Sequence, residues 1–187
     1  MSVGRLTILV ERKRTSYNFK ADIASPDSWD GDHNAKHNME DHLVLLADGH
    51  PIWEAWGQTV ANMPGARHTD TIVPGDFFVK WDVPRRAFKG HVHGIVGAKD
   101  QDGQAIDENS VETIPGKNGA PTDWARWIFG HSTRKNDPAP DGEVTRYAWS
   151  AGCFIVSPAA QDELFRLGTM AGLKTGDKIP CKLIEVS

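Results

Sequence analysis

Apolar and polar residues alternate along much of this chain with the two-residue period of β-strands. Leu6 to Glu11 predicts a first strand, which runs into the charged stretch Glu11-Arg12-Lys13-Arg14. His42–Leu46 and Pro51–Gln58 predict two strands of a hairpin around Asp48-Gly49, a dipeptide that suits a type I′ turn. Thr71–Trp81 holds a Pro74-Gly75 turn followed by alternating positions through Phe77 and Val79. Phe154-Ile155-Val156 predicts a short buried strand, and Lys182–Val186 a closing strand. The helical period occurs once with a start signal. Ser157 reads as an N-cap, Pro158 fills the first turn, Leu164, Phe165 and Leu167 share a face, and Gly168 or Gly172 ends the helix. Many short strands, Gly/Pro turns and one helix predict a mainly β domain, a sandwich or partly closed barrel.

Two stretches break the pattern. Residues 20–40 are rich in Asp, Asn, Ser and His and read as a polar insertion. Residues 97–121 are rich in Gly, Asp and Asn and read as a long loop, a feature that usually borders a functional site. Neither is long enough to be a second domain, so residues 1–187 read as one domain with a core of its own.

Composition narrows the function. With a net charge of −4 and a pI near 6.0, the chain has no global electrostatic case for nucleic acid. No run of eighteen apolar residues exists, so no membrane insertion is expected. The first strand turns charged before it could serve as a signal-peptide core, so the chain is expected to carry no export signal of its own. Two cysteines, Cys153 and Cys181, are too few for a disulfide scaffold, and a bridge between them is the lesser alternative. Cys181 reads as an unreactive, partly buried thiol.

The chemistry concentrates between Trp127 and Ser157. Cys153 follows the small residues Ala151 and Gly152 and precedes an apolar strand, which can place a thiol at a strand edge. A thiol with a pKa of about 8.5 is only a few per cent thiolate at neutral pH. A histidine that accepts its proton makes it a working nucleophile, and His131 lies upstream in Gly130-His131-Ser132. Cysteine with histidine points to acyl transfer through a thioester.

Ser150-Ala151-Gly152-Cys153 with its apolar continuation, together with Phe129-Gly130-His131-Ser132, resembles the catalytic signature of the L,D-transpeptidases, the YkuD-like family. Thr71-Ile72-Val73-Pro74-Gly75-Asp76-Phe77 is similar to that family's Thr-Pro-x-Gly-x-Phe hairpin, and the order of parts is shared from Leu43 to Val156. The resemblance implies Cys153 as nucleophile, His131 as general base, Gly152 as the residue that opens the oxyanion approach, and Ser150 as the motif hydroxyl. It implies a peptidoglycan stem peptide as substrate, with D-Ala released and the acyl group passed to an amine or to water. No cofactor and no metal are expected. The chain departs from the family at Ala151, where many members have His or Arg, and at Ile155, where they have Arg or Asn. Arg146 and Arg134 could replace those groups in holding a carboxylate, because guanidinium pairs bidentately with it. Ser132 and Trp149 complete the expected substrate groove.

Three functions follow. One is an L,D-transpeptidase or L,D-carboxypeptidase. A second is a cell-wall toxin of the same fold, phage-encoded or delivered by a secretion system. It would work in the periplasm or cell wall, with a secretion component or an immunity protein as partner; without delivery the chain would stay cytoplasmic. The third is a non-catalytic binding or structural module. Among competing residues, His91-Val92-His93 has the spacing of a metal pair on one strand face but lacks a third ligand, and His93-Gly94 offers a rival base. His33 and His37 read as exposed loop residues, and Trp53, Trp56, Trp124, Trp127 and Trp149 mostly as core.

Overall fold

A computed structural model describes residues 5–14, 41–60, 71–84, 90–97, 110–114, 123–126, 128–132 and 153–187. In chain order the elements are β1 (Leu6–Lys13), β2 (Asp41–Ala47), β3 (His50–Gln58), β4 (Thr71–Ile72), β5 (Gly75–Lys80), β6 (Val92–Gly97), β7 (Ser110–Ile114), β8 (Asp123–Arg126), β9 (Phe129–Ser132), β10 (Phe154–Val156), α1 (Pro158–Met170) and β11 (Lys178–Val186). The fold is mainly β with one helix after Cys153 among the described residues, as the alternation predicts.

Eight strands pair in a ring ordered β1-β11-β5-β6-β9-β10-β3-β2, and β2 returns to β1, so the barrel closes. Two of its contacts are parallel, β1 with β11 and β9 with β10. A separate three-stranded sheet has the order β4-β7-β8. Part of the stretch read as a long loop, residues 110–114, is therefore strand β7, paired on both sides. The polar insertion at 20–40 lies outside the described residues.

Alternation decides what fills the barrel. Ile8, Val10, Leu43, Leu45, Trp53, Phe77, Val79, Ile95, Phe154, Val156, Ile179, Cys181 and Leu183 are buried in one cluster. Area removed from water is worth about 25 cal/mol per Å², so this cluster dominates the favourable side of folding. Gly57 of β3 faces the same interior. A Cβ there would lie 2.6 Å from the Ile155 carbonyl oxygen and 2.7 Å from Leu43 Cδ1, so β3 and β10 approach closely only because the position is glycine. The β2–β3 hairpin turns as expected, with positive φ at both Asp48 (50°) and Gly49 (81°).

The helix closes the barrel end at which β10 finishes. Ser157 caps it by accepting the Ala160 N–H at 3.1 Å. Leu164 reaches the interior cluster, Trp53 Nε1 donates to the Ala160 carbonyl at 3.0 Å, and Gln161 Nε2 donates to the His91 carbonyl at 3.0 Å. Gly168 does not end the helix. It sits inside it, where a Cβ would overlap the Trp81 indole, and the helix stops at Ala171, followed by Gly172 at φ 86°. The last strand begins four residues earlier than the pattern suggests, at Lys178, because Pro180 sits in β11 beside Phe78 without disrupting the register.

Candidate functional site

The opposite end of the barrel, where β10 begins, is where Cys153 stands. Cys153 stands immediately before β10 and is half-buried, and neither it nor Cys181 is in a disulfide. Phe154 and Val156 face the interior, so strand alternation turns Cys153 and Ile155 to the outer side of the ring. β9 runs parallel to β10 and matches His131 with Ile155 and Ser132 with Val156. The His131 position is therefore on the outer side as well, one step of alternation from Cys153. A parallel pair of this kind joins segments 22 positions apart in sequence through the intervening crossover, which no local pattern reveals. Side chains of His131 and Ser132 lie outside the described residues, as do Gly152, Ser150, Arg146, Trp149 and Arg134 entirely.

His93 occupies a different place. It pairs with Gly130 across β6 and β9, is 2% exposed, and packs its ring 4.1 Å from that of Trp81. Its Nδ1 accepts the Asp82 N–H at 3.1 Å, which leaves the proton of the neutral ring on Nε2. That atom is buried and finds no partner among the described residues. Burial pushes its pKa down to about 3, against a smaller upward pull from Asp82. His93 is thus a neutral interior residue on the far side of the sheet from the Cys153 position.

The His91/His93 pair is also accounted for. His91 Nδ1 lies 3.1 Å from Asp82 Oδ1 and its ring stacks on Phe165 with centroids 3.2 Å apart. Among the described residues no cluster of three His, Cys, Asp or Glu side chains is placed to hold a metal. Cys181 is buried, and desolvation raises its thiol pKa well above the usual value, so it is the wrong cysteine for nucleophilic work. A small cavity of about 40 Å³ lies inside the barrel, lined by Cys181, Phe154, Trp53 and Leu164 among others, and its walls are almost wholly apolar.

Reading by local charge missed a buried polar cluster at the Cys153 end. Arg12 is fully buried, as are Asp41, Gln58 and Thr59. Arg12 donates from Nε to Thr59 Oγ1 at 2.8 Å, from Nη1 to the Ile72 carbonyl at 2.7 Å, and from Nη2 to the Thr59 carbonyl at 3.0 Å. Thr59 Oγ1 in turn donates to Asp41 Oδ2 at 2.6 Å, which also accepts the Thr59 N–H at 2.9 Å. Asp41 Oδ1 accepts the Lys13 N–H at 3.0 Å. A guanidinium and a carboxylate are thus joined through one hydroxyl, tying β1, β2, the end of β3 and the start of the small sheet. In the β10–β3 register Ile155 pairs with Gln58, the residue before Thr59. A signal for Arg12 existed: it continues the inward phase of Leu6, Ile8 and Val10.

Comparison with known proteins adds little chemistry. No protein-family model matches the chain. It is 34% identical over 157 residues to an uncharacterized protein of Treponema pallidum (strain Nichols), an alignment that covers 79% of this chain and 66% of that protein. The chain therefore spans just under two thirds of that relative's length. Among solved structures, it aligns over 100% of its length with 50% of the chain in the structure of the Ldtfm-avibactam carbamoyl enzyme, at 14% identity and a TM-score of 0.39. A likeness of that size carries no argument about mechanism.

Proposed function

We propose that this chain is a cysteine-dependent acyl-transfer enzyme of the L,D-transpeptidase kind, acting on peptidoglycan stem peptides. The observation that supports it most is the parallel pairing of β9 with β10, which brings the His131 position to the side of the sheet on which Cys153 begins its strand. The motif resemblance around Ser150-Ala151-Gly152-Cys153 supplies the reaction class. In this reading His131 takes the thiol proton of Cys153, and the thiolate attacks the carbonyl carbon before the terminal D-Ala. Charge on the carbonyl oxygen meets the backbone amides at Gly152 and Cys153, donors whose contribution is usually several kcal/mol. The C–N bond then breaks, the leaving amine carries off the proton held by His131, and the thioester passes its acyl group to an amine or to water. Arg146, Arg134, Ser132 and Trp149 are assigned to the substrate groove.

Incubation of the purified protein with defined muropeptides, followed by mass spectrometry, tests this. Loss of D-Ala that disappears in Cys153→Ala and falls by about 10²–10⁴-fold in His131→Ala is the expected result. No turnover by the wild-type protein, or turnover that survives Cys153→Ala, rejects the assignment.

A second reading has one observation in its favour. Ile155, at the position where the resembling family has Arg or Asn, is 1% exposed. A buried apolar residue there offers nothing to an anionic peptide, which suits a binding module that keeps the fold without the reaction. Binding of stem peptide with no product formed would select it.

A further inference from the structure

The outer face of β1, β2 and β3 carries a group of side chains that serves neither the core nor the Cys153 site. Trp56, expected in the core, is 56% exposed. The cause is its phase: Trp53, three residues earlier, takes the inward position, and β3 turns Ile52, Glu54 and Trp56 outward. His42 is opposite Trp56 in the β2–β3 register, with ring centroids 5.1 Å apart. The His42 imidazole is clamped across the strands, Nδ1 3.0 Å from Glu11 Oε2 and Nε2 3.2 Å from Glu54 Oε2. Lys13 Nζ lies 5.7 Å from the centre of the Trp56 ring. The result is an indole about half exposed, with His42 packed against it, the Lys13 ammonium over its ring and carboxylate acceptors nearby.

We infer that Trp56, with Glu11, His42, Glu54 and Lys13, forms a saccharide-binding platform for a pyranose whose substituents are equatorial. Such a sugar has an apolar C–H face that covers an indole, and hydroxyls at its edge that both donate and accept. The platform meets both requirements: apolar area from Trp56, acceptors from the two carboxylates, a donor from the ammonium. Other ligands fit less well. An anionic ligand meets Glu11 and Glu54, and a cationic one meets the Lys13 ammonium already over the ring. A protein hot spot needs a border that excludes water, whereas the neighbours of Trp56 are charged and solvated. The platform shares the outer side of the ring with Cys153; Ile155 pairs with Gln58, two residues beyond Trp56, and Cys153 lies two residues further on. At about 3.4 Å per residue the two are about 14 Å apart along the strand, so the platform is a separate site and does not depend on Cys153 being a nucleophile.

Titration of the purified protein with cellotetraose and with chitotetraose, followed by calorimetry and by NMR of the indole N–H signals, tests the assignment. Binding of at least one of the two with a Kd of about 1 mM or tighter is expected, weakened by about tenfold or more in Trp56→Ala. Trp56→Tyr should keep most of the affinity, Glu54→Gln should lose part of it, and Cys153→Ala should bind as wild type does. Trp56 is exposed, so these variants are expected to fold, and circular dichroism checks that they have. No binding of either sugar at about 10 mM, or binding that a folded Trp56→Ala protein retains in full, overturns the inference.

Discussion

The two ends of the barrel are closed by opposite means. Where β10 finishes, α1 closes the barrel with apolar contacts: Leu164 in the interior cluster, Gly168 against the Trp81 indole, and a buried neutral His93 behind them. Where β10 starts, closure is ionic. Arg12 and Asp41 are both fully buried and share the Thr59 hydroxyl, at the end from which Cys153 enters β10. Polar groups at the helix end, such as Gln161 and His93, sit singly among apolar ones, whereas the other end joins several side chains and backbone groups through directional bonds. Such bonds hold their members in one arrangement, although Gln58 Oε1 at the same end is buried without a partner among the described residues.

Removing one member of the ionic closure should therefore cost the most. Asp41→Ala deletes a buried carboxylate that accepts from Thr59 Oγ1, the Thr59 N–H and the Lys13 N–H and leaves those donors buried without it, a loss of about 3–5 kcal/mol. Denaturant unfolding measures it. Asp41→Asn, which keeps the shape and one acceptor, should lose less. A cost under about 1 kcal/mol for Asp41→Ala would mean that the network is solvated and that the contrast between the ends is not real.

Acid should act on the other end. His93 has a folded-state pKa lowered to about 3 from 6.5, so between those values the unfolded chain binds a proton that the folded one refuses. Stability from keeping His93 neutral is fully present above about pH 6.5 and is lost as pH falls towards 3, several kcal/mol in all. Unfolding curves taken across that window should slope upward with pH, and His93→Gln should flatten the slope. An unchanged slope in His93→Gln places the acid sensitivity elsewhere.

Steric closure at the same end makes the next prediction. A Cβ on Gly168 would overlap Trp81, a buried ring wedged between Gly168 and His93 with little freedom to retreat. Gly168→Ala gains helix propensity of about 1 kcal/mol yet should be destabilising by about 1–3 kcal/mol net, against the usual sign for Gly→Ala in a helix. A gain in thermal stability would show that Trp81 moves aside freely and that the helix end is loosely packed.

How much of this was legible in the sequence depended on how local the signal was. The β2–β3 hairpin followed from Asp48-Gly49 and the helix start from Ser157-Pro158, because turn and cap chemistry are written in neighbouring residues. Barrel closure was not legible, since it rests on two parallel contacts, β1 with β11 and β9 with β10, between segments far apart in sequence or joined by a long crossover. Cys153 and His131 could be named as candidate chemistry, but that their strands are neighbours rests on the second of these contacts. Arg12 was read as the charged end of a strand although its position keeps the inward phase, and Trp56 as core although its phase is outward. Residue type was weighted above phase in both cases, and in a closed barrel phase decides.

The smallest effect tests how α1 is attached. Ser157 has extended backbone angles, φ −65° and ψ 155°, and its hydroxyl accepts the Ala160 N–H, one of the amides that the first turn leaves without a partner. The Pro158 position needs no such bond, because proline has no N–H to satisfy. No acidic residue lies in the first turn to share the work, so the cap falls to Ser157 alone among the helix's own residues. Ser157→Ala should cost about 1 kcal/mol, and Ser157→Asp should restore or exceed the wild-type value by adding negative charge at the helix N-terminus. Ser157 also joins β10 to the helix, so the loss should appear as a fall in stability with the muropeptide turnover proposed for the folded protein unchanged. If Ser157→Ala instead lowers turnover at full stability, the two ends of the barrel are coupled through β10, and the separation drawn between them fails.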